Sequence, residues 1–340
     1  METTSVSSRP EIVSILVIGG MMRILMVGRG VIATIHGQVL QEAGHHVEFL
    51  VRPGRTREYG ARVRTDLVDG RRGLLGRRRR TTFAIRLRES VEPGDGFDLV
   101  VLSVGHHRLR EAVASLAPVV GAATVLVLGN VWEDPVAAVA PLPADQVVFG
   151  FPGAGGGFDG DGVLHGALLR SVVLGSSGTP GDRRAPEVRT TLQQAGLVVR
   201  DEPDMRGWLW SHFVMDAGMF SQALTSGGLA AMIGDRRALR GAFLTSRELL
   251  PVLAARGVDI GRHRGATTPA RFPGMTAASA AWATRLLPIA RASLAAHTDP
   301  HAAEPRAVLE DMLATARALG IATPRLERSV EGLSPTSAAR

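Results

Sequence analysis

The chain has no cysteine and no lysine. The first absence excludes disulfides, thiolate metal sites and a cysteine nucleophile. The second excludes lysine as acid, base or Schiff-base former, because all 39 basic residues are arginine. Aromatic side chains are scarce, at 4% with a single tyrosine. Hydrophobic runs of membrane length are lacking too. Ala112 to Trp132 is uncharged, but Pro118, Gly121, Gly129 and Asn130 divide it into helix, turn and strand. Ile12 to Ile18 is too short to span a bilayer and has neither the basic start nor the cleavage site of a signal peptide. The expectation is a cytoplasmic protein with no membrane partner.

What is present is enough for a large core. With 340 residues, 45% of them hydrophobic, the chain predicts two domains. Its organising stretch runs from Met22 to Arg55. Ile24-Leu25-Met26-Val27 reads as a strand buried on both faces. Gly28-Arg29-Gly30-Val31-Ile32-Ala33 follows with G-x-G-x-x-A spacing. Val39, Leu40 and Ala43 continue a helical stripe that Gly44 ends, and Val47 to Val51 is a second strand. In that context Gly28 permits a tight turn, Gly30 lets backbone approach a pyrophosphate, and Ala33 keeps helix and strand close, with free N–H groups facing the anion. An NAD site places Asp or Glu at the end of the second strand. Here the strand runs into Arg52-Pro53-Gly54-Arg55, and two guanidiniums suit a 2′-phosphate, so the expected cofactor is NADPH/NADP.

The net charge of +7 and the cluster Arg71, Arg72 and Arg77 to Arg80 raise a nucleic-acid partner. No aromatics interleave with the cluster and no nucleic-acid motif is present, so that partner is disfavoured. A solvated hairpin, or a second contact to the cofactor's extra phosphate, fits better.

After the cofactor turn, Arg62 to Thr65 and Thr82 to Leu87 alternate like edge strands. Phe97 to Val104, Thr124 to Leu128, Gln146 to Phe151 and Arg170 to Leu174 are further strands, and Leu109 to Leu116 is a helix. The glycine-rich Gly153 to Gly162 has no following helix and reads as a flexible connection. Ligands in such sheets lie outside the carboxyl ends of the strands, which places Ser103, Val104, Gly105, His106 and Asn130 near the cofactor. From Met205 the pattern is helical, with Pro251, Gly257, Pro269 and Pro288 as breaks. The fold class is therefore an α/β Rossmann-type dinucleotide-binding domain followed by an all-α C-terminal domain, with a cleft between them. The division is 1–21 as an N-terminal extension, 22–200 as the cofactor domain, 201–330 as the helical domain and 331–340 as a tail. Met21, Met22, Met26, Met215 and Met219 read as core or helix-packing residues. His106, His107, His263, His297 and His301 show no carboxylate at ligand spacing, so no metal is expected.

On these residues the chain resembles the ketopantoate reductase family (ApbA/PanE-like), over about Met22 to Leu326. The carrying stretches are the first 34 residues of that span, Phe97 to Val104, Leu126 to Asn130 and Ala318 to Pro324. The resemblance implies NADPH-dependent reduction of a 2-oxo acid held in the cleft. The family's W-x-K-L-x-x-N signature, whose lysine is the general acid, corresponds to Trp210-Ser211-His212-Phe213-Val214-Met215-Asp216. His212 stands at the lysine and Asp216 at the asparagine. By the same resemblance Asn130 is the asparagine beside the nicotinamide or the substrate oxygen, and Glu304 is the carboxylate near the substrate hydroxyl, although Pro305 and Arg306 depart from what should follow. Gly105 or His106 falls where many members have a further lysine.

Hydride transfer to a carbonyl builds negative charge on oxygen, so a proton or strong donor is needed there. Imidazolium can supply it, and a carboxylate one helical turn away favours that form. The exchange of Lys and Asn for His and Asp is chemically coherent. The leading expectation is a reductase of a 2-oxo acid or related ketone, with catalytic His212, Asp216, Asn130 and Glu304. Its cofactor is held by Gly28, Arg29, Gly30, Val31, Ile32, Ala33, Arg52, Arg55, Ser103, Val104 and Asn130. The alternative is a non-catalytic NADP(H)-binding sensor or regulatory protein. A homodimer is left open.

Overall fold

The computed structural model describes residues 20–73, 75–295 and 302–331. Most of the expected extension and tail, together with His297 and His301, lies outside the described residues.

Strand β1 (Arg23–Val27) carries Ile24, Leu25 and Met26 wholly buried, as an apolar run covered on both faces should be. Helix α1 (Val31–Glu42) follows the glycine turn, and β2 (His46–Leu50) returns parallel to β1. Next come α2 (Arg55–Tyr59), β3 (Arg62–Asp69), β4 (Arg77–Ala84) and β5 (Arg86–Arg88). The chain continues through β6 (Leu99–Leu102), α3 (Leu109–Leu116), β7 (Thr124–Leu128), α4 (Pro135–Ala138) and β8 (Val147–Phe151). Strands β9 (Ala154–Phe158), β10 (Val163–Leu168) and β11 (Ser171–Gly175), helix α5 (Ala185–Gln194) and β12 (Val198–Glu202) complete the sheet half. Eight strands form one sheet in the order β12-β11-β8-β7-β6-β1-β2-β5, all parallel except the β8–β11 pair. The order reverses between β1 and β6, so the crevice outside their carboxyl ends is the ligand position of a Rossmann-type sheet.

A separate four-stranded sheet, β4-β3-β10-β9, joins two distant segments. Two expectations are corrected here. Thr82 to Leu87 is not one strand: it divides at Ile85, β4 going to the small sheet and β5 to the large one. Gly153 to Gly162 is not a loose connection, because β9 pairs antiparallel with β10, with Gly156 opposite Gly166. A side chain at either glycine would collide with backbone of the facing strand, and one at Gly156 would also meet Val31 of α1. The glycines are there for close packing, a need that their apparent looseness in sequence hides.

From Met205 every regular element is helical. These are α6 (Met205–Ser226), α7 (Arg236–Glu248), α8 (Leu250–Ala255), α9 (Arg264–Arg271), α10 (Pro273–Leu286), α11 (Pro288–Ala295), α12 (Ala303–Ala318) and α13 (Pro324–Glu331). Asp204 caps α6 by accepting from the Gly207 amide at 3.0 Å, and left-handed Gly227 ends it. Pro251 and Pro288 open helices as expected, whereas Pro269 sits inside α9, in its last turn, where it brings no N–H to the helix. Met21 is not core but 66% exposed; Met22 and Met26 are buried.

Each face of the large sheet has its own apolar core, and the helices have a third. Trp132, from the loop after β7, belongs to the helical core. It stacks on Phe213 at 4.8 Å, and its Nε1 donates to Thr315 Oγ1 at 2.8 Å. Arg256 lies over both Trp132 and Trp210, at 4.0 and 3.5 Å, and donates from Nη2 to the Trp132 carbonyl. Burial among these rings pushes its guanidinium down to about 10. The two halves are thereby held together beside Asn130. No helix among the described residues is long and apolar enough to cross a membrane.

Candidate active site

The glycine turn has the features a pyrophosphate requires. Gly28 is left-handed at φ +89°, and a Cβ at Gly30 would meet nothing within 4 Å. No side chain caps α1, and its first turn, Val31 to Ala33, holds no acid, so its leading amides are not answered by a carboxylate. The residues present fit a dinucleotide.

Arg52 and Arg55 follow the end of β2, and Arg29 of the glycine turn reaches the same Tyr59 ring as Arg55. The Arg29 guanidinium lies over Tyr59 at 4.7 Å and Phe158 at 4.9 Å, and burial holds its pKa below the usual value. Its Nε is buried without a hydrogen-bond partner among the described residues. Arg55 approaches the same Tyr59 ring at 5.9 Å and pairs with Glu58. Arg52 is exposed and has no ion pair among the described residues. Glu89 binds the Thr56 amide and hydroxyl, so the start of α2 is already answered by a carboxylate. An anion at this edge would therefore meet guanidiniums and not helix amides. Three arginines of the Arg77 to Arg80 run are committed elsewhere: Arg78 and Arg80 pair with Asp66, and Arg79 pairs with Glu42 and Asp69. That is the hairpin reading of the cluster.

At the carboxyl ends of β6 and β7 the two halves meet. Asn130 Nδ2 donates to Asp216 Oδ2 at 2.7 Å, and Asp216 Oδ1 lies 3.4 Å from His212 Nε2. Helical periodicity puts Trp208, His212 and Asp216 on one face of α6. The imidazole stacks on Trp208 with an interplanar angle of 6°, and Phe151 lies 4.1 Å away, ring centre to ring centre. Its ring faces are thus held while its side chain stays 30% exposed. Nδ1 has no hydrogen bond among the described residues.

Glu304, at the start of α12, comes to the same loops. Its carboxyl carbon lies 3.4 Å from where a Cβ on Gly105 would be. It makes no hydrogen bond or ion pair with Asn130, Asp216 or His212. Ser103 and Val104 are half-buried at the end of β6, and the Ser103 hydroxyl has no hydrogen-bond partner among the described residues. His106 is paired after all: its Nε2 is 3.0 Å from Asp311 Oδ2, and its ring meets Phe213 edge-on. His263 likewise meets Asp204 at 2.9 Å. Tertiary folding brings in these carboxylates from 205 and 59 residues away, beyond any spacing rule. Among the described residues no three His, Asp or Glu side chains form a group that could hold a metal ion.

Sequence reasoning missed Phe151, Trp208, His106 with Asp311, and the Trp132, Trp210 and Arg256 stack. Only Trp208 had a visible signal, four residues before His212 on a helix.

The sheet and the glycine turn at its switch point define an α/β domain of Rossmann type, followed by a helical C-terminal region. Residues 24–178 match the family model for ketopantoate reductase PanE/ApbA. The matched residues make up the N-terminal part of the chain, a little under half of it. No curated protein matches it. Among solved structures it is similar to the 2-dehydropantoate 2-reductase of Geobacter metallireducens GS-15, with 18% identity, TM-score 0.62, and 92% of this chain and 100% of that one covered. D-mandelate dehydrogenase with NADH and anilino(oxo)acetate gives 16% identity and TM-score 0.64, covering 91% and 96%. A PanE/ApbA family ketopantoate reductase of Ralstonia eutropha JMP134 gives 19% and 0.59, covering 91% and 96%. At such identities the structural likeness is one of fold.

Proposed function

We propose that the protein is an NADPH-dependent reductase of a 2-oxo acid or related ketone. The observation that carries this reading is the chain Asn130–Asp216–His212, which joins the end of a core strand to the first long helix beside the ligand crevice. Asp216 holds the imidazole by Nε2, leaving Nδ1 to donate a proton to the carbonyl oxygen. Asn130 fixes Asp216, and Trp208 and Phe151 fix the ring plane. Glu304 orients the substrate from α12. When bound, the reduced nicotinamide supplies the hydride that forms the new C–H bond as the carbonyl π bond breaks. The proton from His212 completes the alcohol.

Gly28, Gly30, Val31, Ile32 and Ala33 hold the pyrophosphate, Ser103 and Val104 flank the nicotinamide side, and Arg29, Arg52 and Arg55 read the 2′-phosphate. A solved relative of this fold contains NADH, so it is the arginines and the lack of an acid at the end of β2 that favour NADP(H) here. The test is loss of reduced-nicotinamide absorbance with NADPH across a panel of carbonyl compounds. Tight NADPH binding without turnover of any of them would sink the proposal.

A further inference from the structure

The outward face of α10 is apolar where a surface helix is ordinarily polar. Ala277, Ala281 and Thr284 bury the inner side of the helix, which packs on α7 and α9. The other side shows Met275 at 66%, Trp282 at 61% and Leu286 at 56% exposure, with Phe272, just before the helix, at 52%. Among the described residues six large apolar side chains are more than half exposed, and these are four of them. A patch so concentrated marks a contact and not a scatter of surface residues.

Met275, Ser279, Trp282 and Leu286 recur at intervals of four, three and four, the spacing of a helix that packs lengthwise on another helix. The seam is also complementary to itself. In an antiparallel pairing about a two-fold axis midway between Ser279 and Trp282, Met275 comes opposite Leu286, and Trp282 comes opposite the small, exposed Ser279. The largest ring thus meets the smallest side chain of the seam. Arg285, the one charged residue of α10, comes opposite Thr276 and not another arginine. The size agrees as well. At roughly 200 Å² per large side chain, the four present about 450–500 Å² of apolar surface. That is the apolar share of the roughly 800 Å² each partner gives to a stable interface.

We infer that the α10 face is the contact between two copies of this chain, packed antiparallel about a two-fold axis, with Trp282 of each seated on Ser279 of the other. The inference is independent of the reductase reading.

Sedimentation equilibrium of the full chain at micromolar concentration is expected to give twice the monomer mass. Trp282→Asp, at a side chain that is already exposed, should raise the dimer dissociation constant by about thirtyfold or more, the scale of one hot-spot residue. Because the chain has no cysteine, Ser279→Cys places a single thiol beside the axis, and mild oxidation should join the two subunits. Ser115→Cys, at an exposed position on α3, should not crosslink. A monomer in the unmodified protein overturns the inference, whether the stripe then proves to bind a lipid vesicle, an unrelated protein or residues 1–19 of its own chain. So does a dimer that Trp282→Asp leaves intact, or one in which Ser279→Cys crosslinks no better than Ser115→Cys, since the contact then lies elsewhere.

Discussion

Asn130 Nδ2 and Asp216 Oδ2 are 2.7 Å apart, a hydrogen bond that spans 86 residues of sequence and links the loop after β7 to α6. It gives Asp216 one oxygen for the sheet half and one for His212. Asp216→Asn keeps the side-chain shape but removes the charge that steadies an imidazolium. We expect kcat to fall by about tenfold to a hundredfold with NADPH affinity unchanged, as read by steady-state kinetics beside cofactor titration. A drop in NADPH affinity alone would assign Asp216 to the cofactor instead.

Among the described residues Arg52 and Arg29 lack carboxylate partners, whereas Arg55 shares its charge with Glu58. Arg52→Ala and Arg29→Ala should each weaken NADPH binding by roughly tenfold, the worth of one charge-assisted hydrogen bond. NADH binding should change little. Fluorescence titration with both cofactors checks this, and equal losses for the two would show that neither arginine reads the 2′-phosphate.

Trp132 is 7% exposed and carries the stack that couples the halves. Truncation to alanine removes a large buried ring and leaves Arg256 without its platform. The expected cost is about 3–5 kcal/mol of unfolding free energy, measured by urea denaturation. A change under 1 kcal/mol, roughly the scale of an exposed surface substitution, would mean that the interdomain contact is weaker than its burial suggests.

His36 predicts an acid-sensitive step in stability. It is wholly buried, its Nε2 lies 2.9 Å from the Pro152 carbonyl oxygen, and burial pushes it down to about 4. Because the folded value lies below the ordinary value of 6.5, the unfolded chain takes the proton first as pH falls. The contribution is fully present above about pH 6.5 and is lost between there and about pH 4, amounting to about 3 kcal/mol. His36→Gln should lose correspondingly less stability than the unmodified protein between pH 7 and pH 4.5. Parallel losses in the two proteins would exclude His36 as the source.

The parts of the fold that sequence made legible are those with local causes. The β1–α1–β2 unit has an apolar strand, a fixed glycine spacing and a helix stop within a few residues of each other. His212 and Asp216 were legible only through the resemblance to the W-x-K-L-x-x-N signature, after which helical spacing puts them on one face. The small sheet was opaque because β3 and β10 are parallel partners about 100 residues apart, and a strand that is three glycines in five carries no apolar alternation. His106 with Asp311, and Arg256 with Trp132, were hidden for the same reason: their partners are set by tertiary contact alone.

The central claim is that the imidazole of His212 delivers a proton to a carbonyl oxygen. Single-turnover oxidation of bound NADPH with an accepted carbonyl compound, run for the unmodified protein and for His212→Ala, tests it most directly. The account predicts a rate lower by about 10²–10⁴-fold in the variant, with NADPH affinity retained. Equal rates in the two proteins would contradict it.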